Sequence, residues 1–147
     1  MLFNEMWPSY IIGSLNKYFK NTLTGQKFYT IAEDPRLNTS ENYYWLRVDG
    51  PTSTPEPSGF WRLEVTINLL IACFIDHDLY RLDRMVGLGV KAFANEIAAY
   101  EIPTDPLTQI GCLTLISDKV DVHRYGQEVT DIKLIQASVE GTYAIDF

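Results

Sequence analysis

The sequence GFWRLEVTINLLIACFI, residues 59–75, decides the fold of this chain because it predicts one long strand with two different halves. From Trp61 to Leu69 apolar and polar side chains alternate, which is typical of a strand with one buried face. From Leu70 to Ile75 both faces are apolar, so this half must be covered on both sides. The second cover is either another part of this chain or a neighbouring subunit, and the sequence leaves both open.

The composition indicates one folded domain over residues 1–147. The chain is 46% hydrophobic and 13% aromatic, whereas a disordered chain is poor in both kinds of residue. Its apolar runs are short, and no basic segment precedes Leu2 and Phe3. We therefore expect neither a membrane span nor a secretory signal, and we expect synthesis in a cytosol.

The net charge and the cysteines exclude two classes of site. A formal charge of -7 argues against tight binding to a nucleic-acid backbone, which requires clustered Lys and Arg. Cys73 and Cys112 have no CxxC spacing, so they predict two small buried side chains and not a metal site or a disulfide. We expect no metal ion and no cofactor.

The first third of the chain predicts a helix, an extended segment and a strand. Pro8 is suited to a first helical turn, and apolar residues at helical spacing follow it over about 8–20. Residues 28–31 form a short apolar patch that is either a strand or an extended segment. Residues 43–48 are aromatic and β-branched and end at Asp49-Gly50, which predicts a strand followed by a turn.

Residues 51–58 contain Pro51, Pro55 and Pro57, and proline cannot donate a hydrogen bond to a sheet ladder. The segment predicts a protruding, mobile loop that joins two strands of a hairpin. It is either a tolerated surface insertion or an arm that becomes ordered against a partner.

A single amphipathic helix is predicted after the long strand. Its cap is Asp76-His77-Asp78, because an acidic side chain there accepts hydrogen bonds from free backbone N–H groups. The interior glycines Gly87 and Gly89 predict either close approach to the sheet or a kink. The apolar stripe comprises Leu79, Leu82, Met85, Val86, Val90, Phe93 and Ile97.

The remainder predicts a loop over residues 100–109 and two strands. The first strand covers residues 113–122, residues 125–128 form a turn, and the last strand covers 135–147 with strict alternation. Ile132 and Leu134 are apolar in the opposite phase, which predicts a bulge or a sharp bend near Leu134. We predict an α+β fold: an antiparallel or mixed sheet of about four or five strands, one central helix on a face, and an N-terminal helix.

Two groups of residues suggest binding or catalysis, and each has a simpler explanation. Asp76, His77 and Asp78 could supply metal ligands or a general base, but adjacent residues in a turn point in different directions, which favours a cap. The aromatic residues of 43–45 and 60–61 could stack on a sugar or a base, but cross-strand packing is commoner. We identify no active site and expect a protein that is not an enzyme.

The order of these elements resembles the tail terminators and related head-to-tail neck proteins of tailed bacteriophages. The resemblance is carried by residues 59–69, by the segment DLYRLD at 78–83, and by residues 129–147. The Pro51–Ser58 loop is richer in proline than the family pattern, and residues 21–38 have no feature that matches it.

The resemblance implies a virion structural protein made in the host cytoplasm. Such proteins form a hexameric ring that caps the completed tail tube, stops its polymerisation and joins the tail to the head connector. The implied partners are further copies of the chain, tail-tube proteins, sheath proteins if the tail contracts, and connector or stopper proteins. Excess acidic charge around the ring's lumen would let DNA pass without specific binding.

Subunit contacts are expected on the polar faces of ordered elements and on the proline-rich loop. The candidates are Arg47, Pro51, Pro55, Pro57, Arg62, Glu64, Arg81, Arg84 and Glu140. Three alternatives stay open: a neck stopper or other tail-completion protein, a small metal-dependent hydrolase that uses Asp76, His77 and Asp78, and a monomeric ligand-binding module that uses the aromatic hairpin. Changing His77 to Ala would abolish turnover in the hydrolase and leave a structural protein nearly unaffected.

Overall fold

The computed structural model describes residues 5–30, 32–33, 35, 42–74, 79–101, 108–116, 119–129 and 132–146. Within these ranges the chain has an α+β fold, as predicted, with two helices and seven strands. More strands are present than the sequence predicts, for reasons given below. The elements are α1 (Trp7–Thr22), β1 (Lys27–Tyr29), β2 (Tyr43–Pro55), β3 (Trp61–Phe74), α2 (Leu79–Phe93), β4 (Ile97–Glu101), β5 (Thr108–Leu115), β6 (Asp121–Val129) and β7 (Ile132–Asp146).

The described strands form one mixed sheet in the order β1-β2-β3-β7-β5-β4, and β6 also pairs with β7. The β1–β2 pair is parallel and the other pairs are antiparallel. One edge of β7 pairs with β3 over almost its full length. The other edge pairs first with β6 and then with β5, so β7 lies at the centre of the fold.

The two halves of β3 are buried as predicted, except at the start of the strand. Leu63, Val65, Ile67 and Leu69 are buried on the face towards the helices, but Trp61 keeps 38% of its surface exposed. Trp61 is not part of the core because it lies at the end of the hairpin, opposite Pro55.

The apolar half of β3 is covered on both faces by this chain. Leu70, Ile71, Ala72 and Cys73 are all buried in the single subunit. Gly89 of α2 lies over one face, close enough that an added methyl group would be 3.5 Å from Cδ1 of Ile71. On the other face the aromatic residues of β2 flank the strand, with Trp45 opposite Leu70 and Tyr43 opposite Ala72. Ile75 lies outside the described residues.

Helix α1 agrees with the prediction, with Pro8 in its first turn, but α2 is shorter than predicted. The helix ends at Phe93, where the Ala94 N–H donates to the Lys91 carbonyl at 3.2 Å. Ile97 belongs to the core, yet it does so as the first residue of β4. The helix approaches the sheet closely at Gly89 but not at Gly87. A methyl group added at Gly87 would meet nothing within 4 Å.

The prediction of a loop over 51–58 is wrong for residues 51–55, which continue β2. The ladder shifts between Asp49 and Thr52, so Gly50 and Pro51 together oppose one residue of β3. In this bulge Pro51 interrupts no regular pairing, and Gly50 supplies a φ of 98°. The Gly50–Pro51 peptide bond is cis. Pro55 is tolerated because it is the last residue of the strand.

A tight turn over residues 56–60 connects β2 to β3. The Gly59 N–H donates to the Glu56 carbonyl at 3.0 Å, and the Glu56 N–H donates to the Phe60 carbonyl at 2.8 Å. Gly59 has a φ of 87°, which a residue with a side chain rarely adopts. These bonds make the end of the hairpin an ordered structure.

The predicted strand 113–122 is divided between β5 and β6, and β4 is absent from the prediction. Residues 125–128, predicted as a turn, belong to β6, which pairs with β7 as far as Val129 opposite Ile132. The predicted bulge at Leu134 is also wrong. Pairing with β3 and β6 on both sides holds this part of β7 in regular register.

Both ends of the predicted loop 100–109 are paired instead, with Tyr100 opposite Gln109 and Glu101 opposite Thr108. Cys73 is buried as predicted, whereas Cys112 is exposed because it lies on the outer side of β5. None of the helices in the described ranges is long and apolar enough to cross a membrane.

Candidate interaction surfaces

The end of the β2–β3 hairpin, residues 55–61, is the first candidate surface, and we call it the hairpin tip. Pro55 pairs with Trp61, while β7 accompanies β3 only as far as Arg62, opposite Asp146. The tip therefore lies beyond the last described pairing of β3 with β7. It exposes 56% of Phe60 and 38% of Trp61 to solvent.

Polar side chains support the base of the tip. The Arg62 guanidinium lies 3.0 Å from a carboxylate oxygen of Glu64 and 3.9 Å from one of Glu56. These side chains are partly exposed, so the pairs contribute little to the free energy of unfolding. Their consequence is local: they place the Glu56 carboxylate next to the exposed aromatic residues.

The second surface is the outer face, the side of the sheet opposite α2. Arg47 lies over the Trp45 ring, with 5.5 Å between the guanidinium carbon and the ring centroid. Glu64 and Glu140 line a shallow depression of about 310 Å³ together with Lys119 and Asp121. Glu140 lies directly opposite Asp121 in the β6–β7 ladder, and the Lys119 amine lies 3.6 Å from the Asp121 carboxylate.

The third surface is a cleft of about 580 Å³ between the first turns of α2 and the α1–β1 connection, and we call it the α2 cleft. Arg81 and Arg84 lie three residues apart on one side of the helix and are exposed. Neither guanidinium forms an ion pair with any residue in the described part of the chain. The lining residues are Thr22, Leu23, Thr24, Gly25, Gln26, Tyr44, Tyr80, Arg81, Arg84, Met85 and Leu88.

A buried tyrosine forms the floor of the α2 cleft. The Tyr44 hydroxyl donates to the Met85 carbonyl at 3.0 Å, which connects β2 to α2. Burial raises the pKa of Tyr44 to about 12, although the nearby Arg84 cation acts in the opposite direction. The phenol is therefore a neutral, fixed part of the floor at physiological pH, and it is unsuited to act as a base.

The predicted contact residues do not form one site. Pro55, Pro57 and Arg62 lie at the tip or its base, and Pro51 lies in the bulge further down the hairpin. Arg47, Glu64 and Glu140 belong to the outer face, and Arg81 and Arg84 line the α2 cleft.

Four exposed apolar residues of these surfaces were missed by the sequence reasoning. Phe60 and Trp61 were assigned to cross-strand packing, but the tip leaves them exposed. Tyr80 and Leu88 of the cleft are 84% and 43% exposed. The exposure of Tyr80 and Leu88 could have been predicted from their positions, since both residues fall outside the apolar stripe of α2.

The proposed capping residues Asp76, His77 and Asp78 lie outside the described residues, so neither their capping nor a catalytic role is tested. In the ranges that are described, no group of three or more His, Cys, Asp or Glu side chains is placed to hold a metal ion.

Comparisons with known proteins add no assignment. A scan against protein-family models and a search of curated proteins both find no match to this chain.

Proposed function

We propose that this chain is a structural protein of the neck or tail of a bacteriophage, and that it acts as a tail terminator. In this role it forms a ring that caps the tail tube and joins it to the head connector. The observation that carries the proposal is the hairpin tip, which ends in a hydrogen-bonded turn past the last described β3–β7 pair and leaves Phe60 and Trp61 exposed. Exposed aromatic residues at the end of an arm are suited to a partner surface, since aromatic side chains are enriched at protein interfaces.

The order of the elements supports the proposal. The resemblance rests on an N-terminal helix, a hairpin with a long irregular loop, an acidic turn into one central helix, and a C-terminal hairpin that ends in a long strand. Among the described residues α1, the β2–β3 hairpin, α2 and the β6–β7 hairpin follow this order, but a tight turn stands in place of the long irregular loop.

The charge distribution also supports it. The chain carries a net charge of -7, and the outer face places three carboxylates, Glu64, Asp121 and Glu140, and one amine, Lys119, around one depression. An acidic surface facing a channel repels the phosphate backbone, so DNA would pass through the ring without being retained.

A phage with a stop codon early in this gene tests the proposal. A terminator limits tail growth, so we expect tails of uncontrolled length that are not joined to heads, visible by negative-stain electron microscopy. Supplying the chain from a plasmid should restore tails of uniform length.

The same experiment separates the terminator from its nearest alternative. A neck stopper acts on the head side, so its loss should leave tails of normal length and heads that do not join them. Infectious virions of normal appearance without the chain would contradict both roles.

A further inference from the structure

We propose that the hairpin tip of one copy docks in the α2 cleft of the next copy. This inference rests on the proposed function, because it names the contact from which the ring is built. The occupant of the cleft is thus a second copy of this chain, through residues 55–61.

The two surfaces lie at opposite ends of one strand. Tyr44, on the floor of the cleft, is near the start of β2, and Pro55 of the tip is its last residue. At about 3.3 Å per residue these positions are roughly 35 Å apart along the strand. A tip therefore cannot reach the cleft of its own subunit, and the contact must be between copies.

A contact between different surfaces of identical subunits is heterologous. Such contacts repeat from copy to copy and close into a ring when the rotation allows. Because the tip and the cleft lie at opposite ends of β2, each copy can insert its tip into one neighbour and bind the tip of another neighbour in its cleft. A ring requires this arrangement.

The exposed apolar residues are concentrated on these two surfaces. In the described part of the chain the large, exposed hydrophobic residues are Met6, Phe60, Trp61, Tyr80, Leu88 and Val122. Two of them belong to the tip and two to the cleft. Docking would remove all four from water together, which is the main driving force of protein association.

The charges of the two surfaces are complementary. The tip carries the Glu56 carboxylate, and its described ion-pair partner is the Arg62 guanidinium at 3.9 Å. The cleft carries Arg81 and Arg84, which have no acidic partner among the described residues. A docked tip would bring Glu56 to these guanidinium groups, which favour carboxylates as hydrogen-bond acceptors.

Charge reversal in the full chain tests the contact. Glu56→Arg gives a basic tip with a basic cleft, and Arg84→Glu keeps the acidic tip but introduces a carboxylate beside Arg81 in the cleft. Sedimentation equilibrium should show that each variant alone associates about tenfold or more weakly than the wild type. An equimolar mixture should recover association, because the substituted tip can then face the substituted cleft, and the unchanged tip faces the unchanged cleft.

Two matched variants control for charge alone. Lys91→Glu makes the same change on α2 outside the cleft, and Glu96→Arg makes the same change as Glu56→Arg away from the tip. Both side chains are exposed, and both variants should associate like the wild type. Circular dichroism and thermal unfolding of all four variants verify that the fold is retained.

Three results would overturn the docking contact. The first is a wild-type chain that is monomeric at about 1 mM, where even a weak contact is populated. The second is single variants that associate as strongly as the wild type. The third is a mixture that associates no more strongly than either variant alone. None of them bears on the stop-codon phenotype, so the docking contact can fail while the proposed function stands. Conversely, the mixture of variants could recover association in solution while virions that lack the chain are normal. In that case the docking contact stands and the proposed function is contradicted.

Discussion

Gly141 and Gly87 differ in what an added methyl group would contact, and this difference makes a matched pair of variants. At Gly141 on β7 the new carbon would lie 2.8 Å from Cδ1 of Phe93 and 3.0 Å from Cδ1 of Leu115. We expect Gly141→Ala to lower the free energy of unfolding by about 1–3 kcal/mol, since an aromatic ring in a packed core cannot move aside easily. Urea denaturation measures the change.

Gly87→Ala is the control, because a methyl group there has no neighbour within 4 Å and the position is inside α2. Alanine should raise the free energy of unfolding by about 0.5–1 kcal/mol through its higher helix propensity. If both variants shift stability in the same direction, the packing of Phe93 against Gly141 described here is incorrect.

At the scale of elements, α1 covers the outer edge of β4 through one side chain. The buried Ser14 hydroxyl accepts the Tyr100 N–H at 2.8 Å and is 3.4 Å from the Tyr100 carbonyl, to which it donates. An edge strand with free backbone groups can pair with another chain, and this contact occupies the backbone groups of the edge at Tyr100.

We expect Ser14→Ala to lower the free energy of unfolding by about 1–3 kcal/mol, because it leaves a part-buried backbone N–H without its acceptor. Ser9→Ala, on the exposed side of the same helix, should change it by less than about 0.5 kcal/mol. Thermal unfolding of the two variants measures the difference, and equal effects would show that the β4 edge does not depend on Ser14.

The hairpin illustrates which elements the sequence can predict. The alternation of Leu63 to Leu69 is local, so β3 and its buried face could be predicted from the residues alone. The extension of β2 past Pro51 could not, because the bulge that accommodates the proline is defined by pairing with β3. Residues 123–129 of β6 were missed for the same reason, since their pairing with β7 overrides the turn tendency of Gly126.

At the scale of the whole molecule, the candidate site could be predicted only as separate residues. Arg81 and Arg84 were identified because they lie on the polar side of a predicted helix. Their position beside Tyr44 depends on how α2 packs against β2, which no local pattern contains. The exposure of Trp61 likewise follows from where the sheet ends.

A tail terminator belongs to the junction between head and tail. Gold-labelled antibodies against the chain, applied to purified virions and imaged by electron microscopy, test whether this chain lies there. We expect label at the neck or at the head-proximal end of the tail, on virions but not on empty host membranes. Label on the capsid shell or the tail fibres, or virions that contain none of the chain, would contradict it.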